Sequence, residues 1–317
     1  MIGMLSDKVP VSTGTKSSVV SPQLYVGGSI LGGLLAHAFI IRDVIVPIDH
    51  KDLKTLLETA VVAARAAGQR AMENINYAKA YAKTPAEIVT DCDRRCQQII
   101  IDTIKQNFPD HGFIGEEGDA GKIFKQSPRG SSDIWWVIDP IDGTNNFAHK
   151  ILNFAVSIAA IQNGRPILGV IFEPSTDSMF TVVKDSSPRF NDTSVQVSDN
   201  DLEIFETIGI ESVFTQGVPA WIPVFMSKLR CRSLGTTAMH LAYVAKGSFV
   251  GTICNKPKLW DIAAGTILVE SAGGIVSDWQ GNAVWPIDMN SYQGQTIEII
   301  ASNKKVHKKL IDIINAK

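Results

Sequence analysis

Leu53, Leu56, Leu57, Ala60, Val61, Ala64 and Ala67 recur three and four residues apart. That spacing predicts an amphipathic helix from about Asp52 to Met72. Thr84-Pro85 stops any continuation, because proline lacks the N–H a helix interior needs. Beyond "EIVTDCD", Cys96, Ile99, Ile100 and Ile104 mark a second helix, which ends near "NFPDHG". The period then changes. "FIGEEG" (113–118) reads as a short buried strand opening onto two glutamates, and "IWWVIDP" (134–140) as another strand-length apolar run. Residues 154–161 and 167–173 read as two strands flanking the turn signal Asn163-Gly164, and "DSMFTVVKD" adds a further strand.

After about residue 185 the chain turns polar ("SPRFNDTSVQVSDND", 187–201), and a second lobe is expected to begin there. It holds a helix from about Thr237 and another from Ile262, the latter ended by Gly273-Gly274. Strands and helices interleave in both halves, so the fold class is mixed α/β (α+β). The expected organisation is an N-terminal extension over 1–50, an α+β lobe over 51–185 and an α/β lobe over 186–317.

Composition narrows the partners. Thirty basic residues stand against 32 acidic ones, a net charge of −2. No basic field is present, so a nucleic-acid polymer is not expected as a partner. Cys92, Cys96, Cys231 and Cys254 form no C-x-x-C pair and read as reduced core thiols, which fits a cytoplasmic protein. The run "LYVGGSILGGLLAHAFII" (24–41) carries no formal charge and is near the lower length for a membrane span. Ala36-His37-Ala38 also resembles a signal-peptide cleavage site. A membrane anchor, a signal peptide and a segment packed on the body all remain open for it.

The chemistry concentrates in "WWVIDPIDGTNNFAH" (135–149). Hard cations such as Mg²⁺ take oxygen ligands, and two such ions can clamp the attacking and leaving oxygens of a phosphoryl displacement. Asp139-Pro140-Ile141-Asp142 suits that need, since the proline fixes a bend and an apolar strand delivers the turn to a sheet edge. Gly143-Thr144 would open a helix whose free N–H groups receive a phosphate. Alone, D-P-x-D-G-T is equally well a capped surface turn. Glu116-Glu117 and Trp260-Asp261 supply matching acidic signals at a strand end and a helix start, and together they favour the metal reading. G-x-S-x-G, Walker, H-E-x-x-H and G-x-G-x-x-G motifs are absent, so no protein nucleophile is called for.

"GEEG", "DPIDGTNNF" and "WDIAAGTILVESAGG" resemble the three signatures of the inositol monophosphatase family, over about residues 52 to 316. The family belongs to a wider group of Mg²⁺-dependent, lithium-sensitive phosphomonoesterases. The resemblance implies a layered αβαβα sandwich, hydrolysis of a small phosphorylated metabolite, two or three Mg²⁺ per site, and a homodimer. It implies Glu116, Asp139 and the Ile141 carbonyl as ligands of one metal, and Asp139, Asp142 and Asp261 as ligands of a second. Asp93 would orient Thr144, and Thr144 with Glu116 would activate water. Gly143, Thr144 and Asn145 would bind phosphate, Gly235-Thr236 would close over the substrate, and Lys83 stands one residue from a family lysine.

Two stretches depart from the pattern. Members that prefer inositol phosphates carry a glutamate several residues before the W-D aspartate, whereas here Ile253, Cys254 and Asn255 fill that window. This weakens inositol as the substrate, and Lys256 and Lys258 would suit a second anionic group. The usual Gly-rich loop after "MFTVVK" is replaced by the glycine-free stretch Asp185 to Asp192. A 3'(2'),5'-bisphosphate nucleotidase, a histidinol-phosphate phosphatase and a non-catalytic, membrane-tethered binding protein are therefore the alternatives.

Overall fold

The computed structural model describes residues 50–84, 87–214 and 217–316, which belong to one compact unit. The 24–41 run lies outside the described residues. Among those described, no helix is long and apolar enough to cross a membrane.

Helix α1 (His50–Asn74) leads into the hairpin β1 (Ala80–Thr84) and β2 (Glu87–Thr90), then α2 (Asp91–Asn107). Strands β3 (Gly112–Gly115), β4 (Phe124–Gln126) and β5 (Ile134–Asp142) follow, with the single turn α3 (Thr144–Ala148). A meander of β6 (Ala155–Gln162), β7 (Arg165–Glu173), β8 (Ser178–Val183), β9 (Arg189–Phe190) and β10 (Thr193–Ser194) completes an eight-stranded sheet. Its order is β10-β9-β8-β7-β6-β5-β3-β4, antiparallel except where β3 runs parallel to β5. The remaining elements are β11 (Thr207–Ile210), α4 (Trp221–Lys228), β12 (Arg230–Arg232), α5 (Thr237–Ala245), β13 (Gly251–Cys254), α6 (Leu259–Ser271), β14 (Ile275–Ser277), β15 (Ile299–Ser302) and α7 (His307–Ile314). Their strands form a second sheet in the order β12-β11-β13-β15-β14.

Strand β5 explains why its sequence is apolar throughout rather than alternating. Trp135 and Val137 face a core shared with α5 and α6, while Trp136 and Ile138 face α1 and α2 on the other side. A strand covered on both faces needs apolar side chains at every position. The Ala-rich stripe of α1 (Ala60, Ala63, Ala64, Ala67 and Ala71, all fully buried) lets the helix lie close against α2. There the Cys96 thiol donates to the Ala67 carbonyl at 3.4 Å. A third core joins the outer face of the five-stranded sheet to α4 and α7. The layers are thus α1/α2, sheet, α5/α6, sheet, α4/α7, the αβαβα sandwich expected.

Asn163 (φ 53°) and Gly164 (φ 71°) make the left-handed turn joining β6 to β7, as their sequence signals. All four cysteines are free; Cys92, Cys96 and Cys254 are buried, and the Cys92 and Cys96 sulfurs lie 3.7 Å apart. The divergent segment 185–192 lies around β9, separated from β5 by β8, β7 and β6. Its departure from the family pattern therefore falls at the far side of the sheet from Asp139.

Candidate active site

The parallel pairing of β3 with β5 sets Gly115 beside Ile138, so the two strands end together. Glu116 and Glu117 leave one strand where Asp139 to Asp142 leave the other. The Glu116 N–H still donates to the Ile138 carbonyl at 3.3 Å. A Cβ on Gly115 would come within 2.4 Å of the Gln97 amide oxygen and displace that amide. That amide brackets Glu117, accepting from its N–H at 2.9 Å and donating to its carbonyl at 2.6 Å.

Three helix N-termini converge on these strand ends. Asp93 lies in the first turn of α2, where its Oδ2 accepts from the Thr90 N–H at 2.9 Å and from the Thr90 hydroxyl. Asp261 lies in the first turn of α6 and reaches back to the Lys258 N–H at 2.7 Å. The helix begins at Leu259, one turn earlier than the apolar spacing suggests, because that carboxylate caps it. Asp142 reaches from β5 to the start of α5. It accepts from the Thr236 hydroxyl, from the Ala238 N–H at 2.6 Å and from the Thr237 N–H at 3.3 Å. Ser157 of β6 fixes the start of α6 by donating to the Trp260 carbonyl at 3.0 Å.

Asp139, Asp142 and Asp261 each offer a carboxylate oxygen within 4.8 Å of the others. Asp139 and Asp261 share a hydrogen bond, and the Asp139 Oδ1 also accepts from the Ile141 N–H at 3.0 Å. Burial, then the charges of Glu116, Asp142 and Asp261, hold Asp139 well above the usual carboxylate range. Burial and the charges of Asp142 and Glu116 do the same to Asp261. Burial pushes Asp142 up to about 6, against the hydrogen bonds from Thr236, Ala238 and Thr237. Several carboxylates packed together out of water repel one another unless protons or a cation intervene. An all-oxygen, anionic donor set of this kind fits a hard divalent cation.

Glu116 stands apart from that close trio. Its Oε1 accepts from the Lys83 ammonium at 3.0 Å, and Glu117 Oε1 accepts from the same ammonium at 2.8 Å. Burial, opposed by Lys83 and reinforced by Glu117, raises Glu116 to about 7. Burial alone would lower the Lys83 pKa, but the two glutamates outweigh it and hold it above the usual lysine range. Lys83, one residue out of register in sequence, is therefore in contact with the site.

The Thr144 hydroxyl lies 3.1 Å from Asp93 Oδ1 and 3.1 Å from the Ile141 carbonyl. Burial raises Asp93 to about 6 despite the Thr90 hydrogen bonds. Asn145 is exposed at the opening of α3, whose first N–H groups have no partner inside the helix. Thr236 is buried, with its hydroxyl spent on Asp142 and on the Met239 N–H at 3.3 Å. Its hydroxyl thus ties Asp142 to the start of α5. Asn146, not singled out by sequence, donates to the carbonyls of Asn153 and Leu234, both at 2.7 Å.

Gly143 (φ 100°) and Gly235 (φ 74°) meet where α3 approaches the loop before α5. A Cβ on Gly235 would lie 2.6 Å from the Asn146 amide nitrogen. Gly235→Ala is therefore expected to cost about 1–3 kcal/mol, combining left-handed strain with a displaced Asn146. Urea denaturation with an unchanged midpoint would show that this approach is not tight.

The inositol monophosphatase family matches residues 52–317, and the chain belongs to it. A fructose-1,6-bisphosphatase/inositol-1-monophosphatase of Thermotoga maritima is 34% identical over 230 residues, 72% of this chain and 83% of the relative. The Nus factor SuhB of Escherichia coli is 34% identical over 266 residues, covering 81% and 94%. Among solved structures, the SuhB protein of Bartonella henselae superposes with a TM-score of 0.75 at 30% identity, covering 83% of this chain and 99% of that one. A Thermotoga maritima IMPase gives 0.72 at 31%, covering 82% and 97%. The family is metal-dependent and supports phosphatase chemistry in general.

Proposed function

We propose that this protein is a Mg²⁺-dependent phosphomonoesterase that releases phosphate from a small polyol- or sugar-type monophosphate by attack of water. The observation that carries this reading is the trio of buried Asp139 and Asp142 with half-buried Asp261, carboxylate oxygens within 4.8 Å, and the Thr144–Asp93 pair at 3.1 Å beside it. Asp139, Asp142 and Asp261, with Glu116 and the Ile141 carbonyl, would hold the cations. Bound there, Mg²⁺ would neutralise phosphate charge, acidify a water and stabilise the departing alkoxide.

The chain's own groups do the rest. The Thr144 hydroxyl donates its proton to the Asp93 carboxylate, which leaves its lone pairs to accept from the attacking water and aim it. Glu116, held by the Lys83 ammonium at 3.0 Å, is the nearby carboxylate that would join Thr144 in activating the water. The N–H groups at Gly143, Thr144 and Asn145 would receive phosphate oxygens. Lys258 donates to the Gly294 carbonyl at 2.7 Å, so its ammonium is engaged with backbone.

Family resemblance also supports lithium sensitivity and a homodimer, and the free cysteines support a reducing, cytoplasmic setting. The name Nus factor, borne by relatives at 34% identity, is in tension with excluding a nucleic-acid or other macromolecular partner from net charge alone. The test is phosphate release from inositol phosphates, 3'-phosphoadenosine 5'-phosphate, fructose-1,6-bisphosphate and histidinol phosphate, with and without Mg²⁺ and Li⁺. Mg²⁺-dependent release from a monophosphate is expected. Folded, Mg²⁺-binding protein that is silent on every ester would overturn the enzymatic reading.

A further inference from the structure

One carboxylate near this site takes no part in the metal and phosphate contacts. Glu211 follows β11 directly, and the parallel register of β11 with β13 matches Ile210 to Ile253, which brings Glu211 alongside Cys254. The backbone N–H groups of Asn255 and Lys256 donate to its carboxylate, and the Lys256 charge bears on it. The charge of Asp142 is felt at Glu211, and Cys254 feels Glu211, Asp142 and Asp261 together. Glu211 therefore occupies the same rim as the metal-binding candidates, on the side of the five-stranded sheet.

It is not one of the close trio. Backbone donors and an ammonium hold it in orientation, a task that a cation would perform for Asp139. An ionised carboxylate has about four acceptor positions and no donor. Two of these positions accept from the Asn255 and Lys256 N–H groups. The nearest positive charge, Lys256, bears on Glu211 itself, and Lys258 is turned onto the Gly294 carbonyl. The rim thus sets a carboxylate near the candidate phosphate site, a group that accepts from hydroxyls and repels a second anion.

We propose that Glu211 is a specificity-determining residue that accepts hydrogen bonds from hydroxyls on the non-phosphate part of the substrate, and so selects a polyol monophosphate over a bisphosphate. The inference rests on the phosphomonoesterase reading and deepens it. A hydrogen bond to a charged acceptor is strong enough that its loss reads as about a ten- to hundredfold change.

The experiment measures kcat/KM of wild type and Glu211→Gln on inositol 1-phosphate, on hydroxyl-free p-nitrophenyl phosphate and on fructose-1,6-bisphosphate, with thermal melts of both proteins. The ratio of inositol 1-phosphate to p-nitrophenyl phosphate is expected to fall about ten- to hundredfold in the variant. The relative rate on the bisphosphate is expected to rise. An unchanged ratio, or an equal loss on all three esters, overturns the inference. If Glu211→Gln does not melt cooperatively, Glu211→Asp takes its place. The shorter side chain withdraws the acceptor, and an unchanged ratio there is equally fatal. Wild-type protein that cleaves p-nitrophenyl phosphate but no polyol phosphate sinks this inference alone. Wild-type protein that cleaves none of the three removes the phosphatase reading and this inference with it.

Discussion

Asp139→Asn is expected to lower Mg²⁺-dependent kcat/KM by more than about 100-fold, the upper end of what losing even an outer partner of a metal site costs. The metal-free variant should nonetheless be at least as stable as wild type. The two halves of this prediction come from one cause. Asp139 feels the charges of Glu116, Asp142 and Asp261 together and is buried among them. An amide keeps the shape and can still accept the Ile141 N–H that Asp139 Oδ1 accepts at 3.0 Å. It removes one negative charge from a crowded, desolvated group, which relieves repulsion when no cation is present. It also removes an anionic oxygen that a hard cation requires. Phosphate release titrated with Mg²⁺ reads the first half, and thermal melting in chelator reads the second. Wild-type rates at saturating Mg²⁺ would exclude Asp139 as a ligand. A metal-free variant that melts well below wild type would mean the cluster is held by hydrogen bonding rather than strained by charge.

The residues that carry this prediction were legible early because the chain writes them in contiguous stretches. The apolar run Ile134 to Pro140 reads as a strand leading into the two aspartates, and the structure extends that strand through Asp142 and covers it on both faces. Asp261 was visible for a similar reason, at the start of an apolar helix. What stayed hidden depends on register and on distant approach. Lys83 lies on a hairpin, and only the fold brings its ammonium to 3.0 Å from Glu116 and 2.8 Å from Glu117. The Thr236 hydroxyl caps α5 and holds Asp142, a pairing across 94 positions that no local pattern encodes. Glu211 follows a four-residue strand, and its neighbours are known only once β11 is paired with β13. Gly235 illustrates the opposite case. "SLGTTA" stands out only through its resemblance to the family segment that closes over the substrate, and the structure adds the close approach of the Asn146 amide, 2.6 Å from where a Cβ on Gly235 would lie.

Mg²⁺ is expected to raise the melting temperature by about 5–10 °C at pH 8 when present at a hundredfold excess over its dissociation constant. The increment should be clearly smaller at pH 5. The sign follows from the carboxylates. Burial raises Asp93 and Asp142 to about 6 and Glu116 to about 7, and drives Asp139 and Asp261 well up in the same direction. A carboxyl whose folded pKa lies above its unfolded value, roughly 4, binds its proton more tightly when folded. Its contribution to stability is full below about pH 4 and is lost as pH rises through the folded values. Metal-free protein at pH 8 therefore carries the whole burden of mutual repulsion, and at pH 5 protons still relieve much of it. A cation must displace those protons to bind, so its affinity and its stabilisation both grow as they leave. Melts with Mg²⁺ and with chelator at the two pH values give the difference directly, which cancels acid effects elsewhere in the chain. The same measurement on Asp139→Asn should return a small increment at both values. An increment independent of pH in wild type, or one larger at pH 5, would mean that Mg²⁺ binds somewhere other than among these carboxylates.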